Sequence, residues 1–230
     1  YNTVASQQAM PLIRQLQDEG SPIPYMHIFA VLSALKQICN HPAAYLKDVA
    51  NYEAYASGKW ESFVELIEEA MESEQKVVVF SQFLAMLDII ELFLKKKGIG
   101  YAQIRGQTKN RGDEVHRFHN DPGCKVFLGS LQAAGLGIDL TPASIVIHYD
   151  RWWNAARENQ ATDRVHRIGQ VRGVQVFKLL TKATIEERID QLISHKSTLL
   201  EDVVFFDDHQ IVKRLSRNEI ISLLEGLPEE

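Results

Sequence analysis

The run Gln160-Ala-Thr-Asp163-Arg164-Val-His166-Arg167-Ile168-Gly169-Gln170 is where the sequence first offers chemistry. Gln160, Arg164 and Arg167 stand four and three residues apart, so on a single helix they form one polar stripe. Ala161, Val165 and Ile168 repeat that spacing about 100° round the axis as an apolar stripe. One helix fastened by its apolar face therefore holds two guanidinium groups side by side. Like charges so placed are stable when solvated, paired with carboxylates or facing a polyanion. Nucleotide phosphate suits them, because the planar guanidinium fork matches its oxygens. The alternative is an exposed helix with unconnected surface charges. His166 falls off the polar stripe and is expected to be structural.

Three further loops carry candidate groups. Ser130-Leu-Gln132-Ala-Ala-Gly135-Leu-Gly137-Ile-Asp139-Leu-Thr141 follows a strand-like run. Its small residues allow a phosphate, or another backbone, to approach closely. Asp139 is placed to receive a nucleotide hydroxyl or to hold an arginine; a tight strand-to-helix turn packed on a sheet is the other reading. Arg105-Gly-Gln107-Thr108-Lys109 gathers cations and short polar groups, a set suited to phosphodiester contacts. It reads equally as a β-to-α turn with Thr108 as helix cap. Asp150-Arg151-Trp152-Trp153-Asn154 puts two tryptophans side by side. They are either two packing anchors, or one anchor and one ring that reaches a groove or a base. Cys39-Asn-His41 has metal-ligand residue types without a second pair, so no zinc site is expected. No Gly-Lys-Ser/Thr phosphate loop occurs in the chain, although nucleotide hydrolysis needs a phosphate cradle and a metal-holding carboxylate.

The elements that position these loops follow from periodicity. Short apolar runs at Lys76–Phe80, Tyr101–Ile104, Lys125–Leu128, Ser144–His148 and Val174–Leu179 alternate with helical stretches such as Leu84–Lys96 and Arg111–His119. Runs apolar on both faces, alternating with helices, predict a parallel sheet covered on both sides. Ligands then sit beyond the carboxyl ends of the strands, where the loops above begin, including Ser81-Gln82. Helical patterns at Val4–Gln17, His27–Ile38 and Trp60–Glu72 precede the sheet, with Gly20-Ser-Pro-Ile-Pro24 as a breaker. Thr184–Leu200 and Leu215–Leu224 follow it as helices. Thr184 before Glu186 and Glu187 reads as a capped, acid-rich start.

The chain has 230 residues, 45% hydrophobic and 24% charged, with a net charge of −5. That length can bury about 70% of the unfolded surface. The negative balance argues against a globally basic nucleic-acid binder, though a local basic groove is compatible with it. No run of 18 apolar residues is present, so no transmembrane helix or membrane partner is expected. Cys39 and Cys124 lie far apart and suit free thiols in a reducing compartment. The opening at Tyr1, directly in helix-like sequence, reads as a fragment of a longer protein.

Taken in order, these segments resemble the second RecA-like lobe of the Swi/Snf-related ATPases, the chromatin-remodelling and Rad-fifty-four-like branch of helicase superfamily two. The resemblance runs from Leu35 to Leu200. Leu35-Lys-Gln-Ile-Cys-Asn-His-Pro42 looks like the helical segment ahead of the lobe, and Val79-Phe-Ser-Gln-Phe83 like motif four. Ser130–Thr141 looks like motif five, Trp152-Trp-Asn154 like the segment after it, and Gln160–Gln170 like motif six. Thr184-Ile-Glu-Glu-Arg-Ile189 looks like the start of the C-terminal brace. Ala134, Asp139, Ala155 and Arg105 depart from the residues usual at those places.

The resemblance implies an α/β lobe, a RecA-like parallel sheet without a Walker A loop. Residues 59–183 would form it, with a helical subdomain at 1–58 and brace helices at 184–230. It implies Arg164 and Arg167 as arginine fingers, with Gln160 beside them. ATP and Mg would be bound mainly by a first lobe absent from this chain, with Gly135, Gly137 and Asp139 approaching the nucleotide. Ser81, Gln82, Gln107, Thr108, Lys109, Ser130, Gln132 and Trp153 would lie near the backbone or minor groove of double-stranded DNA. The whole would be a DNA-dependent ATPase that translocates on duplex, and this fragment alone an inactive monomer. The rival reading is a catalytically inert DNA- or protein-binding module.

Overall fold

Five β-branched or aromatic runs form the strands, in places their sequence indicates. The computed structural model describes residues 1–130, 137–167, 170, 172–195 and 208–225. Strands β1 (Val77–Ser81), β2 (Gly100–Ile104), β3 (Cys124–Ser130), β4 (Ile145–His148) and β5 (Gln175–Lys178) make one sheet in the order β2-β3-β1-β4-β5. All four pairings are parallel. β1, β3 and β4 are almost wholly buried, as strands covered on both faces must be. β5 departs from that expectation. Its Gln175, Val176 and Lys178 are exposed, because it borders the sheet and only β4 pairs with it among the described residues.

Helices α1 (Asn2–Gln17), α2 (Tyr25–Asn40), α3 (Pro42–Leu46) and, after a 3₁₀ turn at Val49–Ala54, α4 (Gly58–Glu72) precede the sheet. Within it run α5 (Leu84–Lys97), α6 (Arg111–Asn120) and α7 (Ala155–Thr162). α8 (Ile185–His195), α9 (Asp208–Lys213) and α10 (Arg217–Leu224) follow. α4 is capped by Ser57, whose Oγ accepts from Trp60 N, and α10 by Ser216 and Glu219 in a reciprocal box. The start of α8 is held as its sequence suggests, with Thr184 Oγ1 accepting from Glu186 N and Glu187 accepting from Ala183 N.

Three apolar cores result. Val77, Val79, Leu128 and Ile147 pack with α4 and α5 on one face of the sheet. Val78, Phe80, Phe127, Val146 and Trp152 pack with Phe118, Ala161 and Val165 on the other. The third core joins α1 and α2 to α8, α9 and α10, and Trp153 enters it from the strand end. The adjacent tryptophans thus point into two different cores. Both are buried, at 1% and 3% exposure.

One buried ion pair ties the first of these cores to the third. Lys59 Nζ on α4 donates to Glu186 on α8 at 2.5 and 2.6 Å, and the two side chains are 2% and 0% exposed. Glu186 also accepts from Thr181 N at 2.9 Å, and Asn40 Oδ1 lies 3.5 Å from Lys59 Nζ. The carboxylate is therefore held by two donors, Lys59 Nζ and Thr181 N, as a charge at that depth requires.

Candidate functional site

The single-helix expectation for Gln160–Ile168 is corrected by the structure. α7 starts at the Asn154 cap, whose side chain accepts from Arg157 N, and stops at Thr162. Tight turns follow, with Arg164 N to Ala161 O at 3.2 Å and Val165 N to Thr162 O at 2.9 Å. Long-range bonds displace the helical ladder here. Leu140 N donates to Arg164 O at 2.9 Å. Gln170 Nε2 reaches the carbonyls of Thr141 (3.0 Å), Ala143 (2.9 Å) and Val165 (3.3 Å). Val165 is still buried, anchoring the turn as its place in the apolar stripe implies.

This stitching gathers the expected polar residues even so. Asp139, Gln160, Asp163, Arg164, His166 and Arg167 line one open cleft of about 710 Å³. Arg164 is 9% exposed at its wall. Burial lowers its pKa, the neighbouring Arg167 lowers it further, and Asp163 works the other way. Arg167 is exposed, with Nη1 3.4 Å from Gly137 O. Gly137 sits at φ +64°, a left-handed conformation that glycine adopts without strain. Asp139 Oδ1 accepts from Thr141 N at 3.0 Å, and His119 Nε2 lies 2.9 Å from its backbone oxygen. Burial raises the Asp139 pKa, but the bonds from Thr141 and the charges of His119 and Arg167 together hold it below its usual value. His166, expected to be structural, is exposed and lines the cleft. Gly135 and Gln132 lie outside the described residues.

A second gathering lies where β1 and β4 end. Their connections leave in opposite directions, which opens a crevice at their carboxyl ends. Asp150 fills it. Its carboxylate accepts from Ser81 Oγ and from Gln82 N at 3.1 and 3.2 Å. Complete burial pushes its pKa up to about 6, while Lys36, Ser81 and Lys59 pull the other way. Gln82 Nε2 donates to Arg151 O at 3.2 Å. Ser130 is the register partner of Ser81. Its Oγ is buried with no partner among the described residues.

The turn after β2 carries the remaining expected residues. Gln107 and Lys109 are exposed and Thr108 is half-buried. Thr108 Oγ1 accepts from Arg105 N at 2.9 Å, and Asn110 is the residue at the start of α6. Thr108 thus closes a turn rather than capping a helix. Arg105 is engaged by Asp88 and Glu91, which corrects its assignment as a cation offered to phosphate. Arg111 braces the same turn through the carbonyls of Thr108 (3.0 Å) and Gly106 (3.1 Å).

Sequence reasoning placed Asp150 in a candidate strand-end loop but gave it no role as a hub. It missed Lys36 altogether, since nothing in a helical run marks one lysine as buried. Among the described residues no group of three potential metal-ligating side chains comes together, and no helix is long and apolar enough to cross a membrane.

Comparison with known proteins decides the family. The helicase conserved C-terminal domain matches residues 58–169. The *Sulfolobus solfataricus* SWI2/SNF2 ATPase C-terminal domain is 32% identical with a TM-score of 0.72, covering 97% of this chain and 92% of that one. The chain belongs to the Swi2/Snf2 ATPases, as their C-terminal RecA-like lobe. The *S. solfataricus* SWI2/SNF2 ATPase core in complex with dsDNA is 35% identical with a TM-score of 0.77; this Snf2 lobe is covered over 98% of its length and that chain over 47%. An uncharacterized ATP-dependent helicase of *Mycoplasma pneumoniae* is 39% identical over 220 residues, 93% of the lobe and 20% of the relative. The Snf2 lobe spans about a fifth of the length of this and two other bacterial relatives, and about a tenth of several eukaryotic ones.

Proposed function

We propose that this lobe is the C-terminal half of the motor of an ATP-dependent double-stranded DNA translocase or remodelling ATPase. The observation that carries the reading is the meeting of Arg164, Arg167, Gln160 and Asp139 at one solvent-open cleft. Two further points support it: no phosphate loop exists in the chain, and a neighbouring structure is an ATPase core in complex with dsDNA. Residues 59–183 act as the lobe, 1–58 as its helical subdomain and 184–230 as its brace. The isolated chain is a monomer.

ATP would sit mainly on the first lobe of the same parent, and Mg bound with it would neutralise phosphate charge. Closure brings Arg164 and Arg167 onto the γ-phosphate, where prepositioned cations stabilise charge spreading over the phosphoryl oxygens. Such fingers contribute on the order of 10³–10⁵ in rate, about 4–7 kcal/mol. A surface ion pair contributes only ~0–1 kcal/mol, so the cleft rather than general surface charge would set turnover. Gly137 and Asp139 keep the facing loop in place, Asp139 through Thr141 and Gly137 through the Arg167 contact. Ser81, Gln82, Gln107, Thr108, Lys109, Ser130, Gln132 and Trp153 form this lobe's half of the DNA track.

The test separates the lobe from its parent. The purified chain should show no ATPase above background, and the two-lobed parent should show DNA-stimulated turnover. Robust hydrolysis by the chain alone would overturn the two-lobe account.

A further inference from the structure

Lys36 on α2 is 3% exposed. Its ammonium lies 5.6 Å from the Phe83 ring centroid and 6.0 Å from that of Trp153. Among the described residues no carboxylate makes an ion pair with it. Asp150 is within range of its charge, but Ser81 and Gln82 already occupy that carboxylate. A buried ammonium normally has a charged or hydrogen-bonding partner, and ring faces meet that need only in part.

The missing partner has a place. Lys36 lines a cavity of about 210 Å³ together with Ser33, Gln82, Phe83, Trp153 and Phe29. No carboxylate lines it. Gln82 uses one amide proton on Arg151 O, which leaves the second. Ser33 Oγ accepts from Gln37 Nε2 at 3.2 Å, which leaves its hydroxyl proton. Every polar side chain on the wall can therefore donate, the signature of an oxyanion site. The aromatic walls suit a sugar or a base face.

We propose that this cavity is a subsite for one backbone phosphate of DNA, with Lys36 as its cation and the Phe83 and Trp153 rings beside the attached sugar. The inference rests on the DNA-track reading and explains how a Trp153 so fully packed would take part in it, through the cavity rather than from the outer surface. It also adds a ligand from the helical subdomain, outside the motif-bearing loops. A nucleic acid is favoured over an acidic peptide because Gln82 and Trp153, two of the proposed track residues, form the same wall.

Duplex-DNA affinity of the two-lobed parent, measured by fluorescence anisotropy across a salt series without nucleotide, tests it. Lys36→Met should weaken binding about five- to tenfold and reduce the slope of log K against log salt by about 0.9, one phosphate contact. Lys36→Arg should keep the slope. Lys109→Ala tests the track itself and should weaken binding independently. If Lys109→Ala weakens binding while Lys36→Met equals wild type in affinity and slope, the subsite is wrong and the track stands. If the parent does not bind duplex at all, the track fails and the subsite with it. A Lys36→Met that weakens binding at unchanged slope reports lost packing and also refutes the subsite. Thermal melts check that the variants fold, with Lys36→Gln replacing Met should the latter not fold. A polyglutamate peptide that binds wild type but not Lys36→Met, with DNA affinity equal in both, would transfer the cavity to an acidic partner.

Discussion

The lobe carries two cationic cavities built on opposite principles. In the larger, Arg164 and Arg167 face an open cleft with Asp139 and Asp163 nearby. Arg167 is exposed and Arg164 lies in the cleft wall, and precision comes from the backbone stitches to Leu140, Thr141 and Ala143. In the smaller, Lys36 is sunk among rings with no carboxylate on the wall. There precision comes from packing, and the charge is the exposed quantity in energetic terms. An open site tolerates an absent ligand. A sunken site is under-satisfied until something enters it, and so discriminates more strongly for what enters.

The largest expected effect tests the open cleft. In the parent, Arg167→Ala should cut DNA-stimulated ATPase at least a hundredfold, toward the ~10³–10⁵ that fingers contribute, with DNA affinity retained. A loss under threefold would remove the finger role and leave the two cavities alike in being binding sites only. A smaller effect is expected one step away from the arginines. Gln170→Ala removes the clasp on three carbonyls and should lower kcat about tenfold at similar KM for ATP. An unaltered kcat beside a lowered Tm would make Gln170 merely structural.

The smallest effect is on stability. Burial lowers the pKa of both His41 and His148 from 6.5 to about 4. The unfolded chain therefore binds protons there that the folded one refuses, and stability falls as pH drops from 6.5 through 4. Asp150, raised from 3.8 to about 6, acts in the opposite direction over nearly the same window. Two imidazoles outweigh one carboxyl, so Tm should decline on acidification in thermal melts. Asp150→Asn should steepen that decline; an unchanged or shallower profile would mean that the buried crevice beside Lys36 does not hold an ionisable proton as described.

Much of this was legible in the sequence, for physical reasons that also mark where legibility ends. Runs such as Lys76–Phe80 announce themselves because a strand covered on both faces must be apolar throughout. β5 was expected to be equally buried, but an edge position is set by strand order, which no local run encodes. The cleft residues were found because Arg164 and Arg167 share a short segment. Their helix was not, because Leu140 and Gln170 compete for its carbonyls from outside the pattern. Lys36 was missed, and Asp150 was seen only as part of a strand-end loop, because their meaning arises only when α2 and the ends of β1 and β4 come together.

The buried contact between Lys59 and Glu186 joins residues 127 positions apart. Deleting one member of such a pair typically costs about 3–5 kcal/mol, whereas exchanging both for apolar groups is often neutral. Under mutational drift the two positions are therefore yoked and change hands only as a couple. A chimera that borrows α4 from a relative must borrow the start of α8 with it, or inherit a bare charge in its interior.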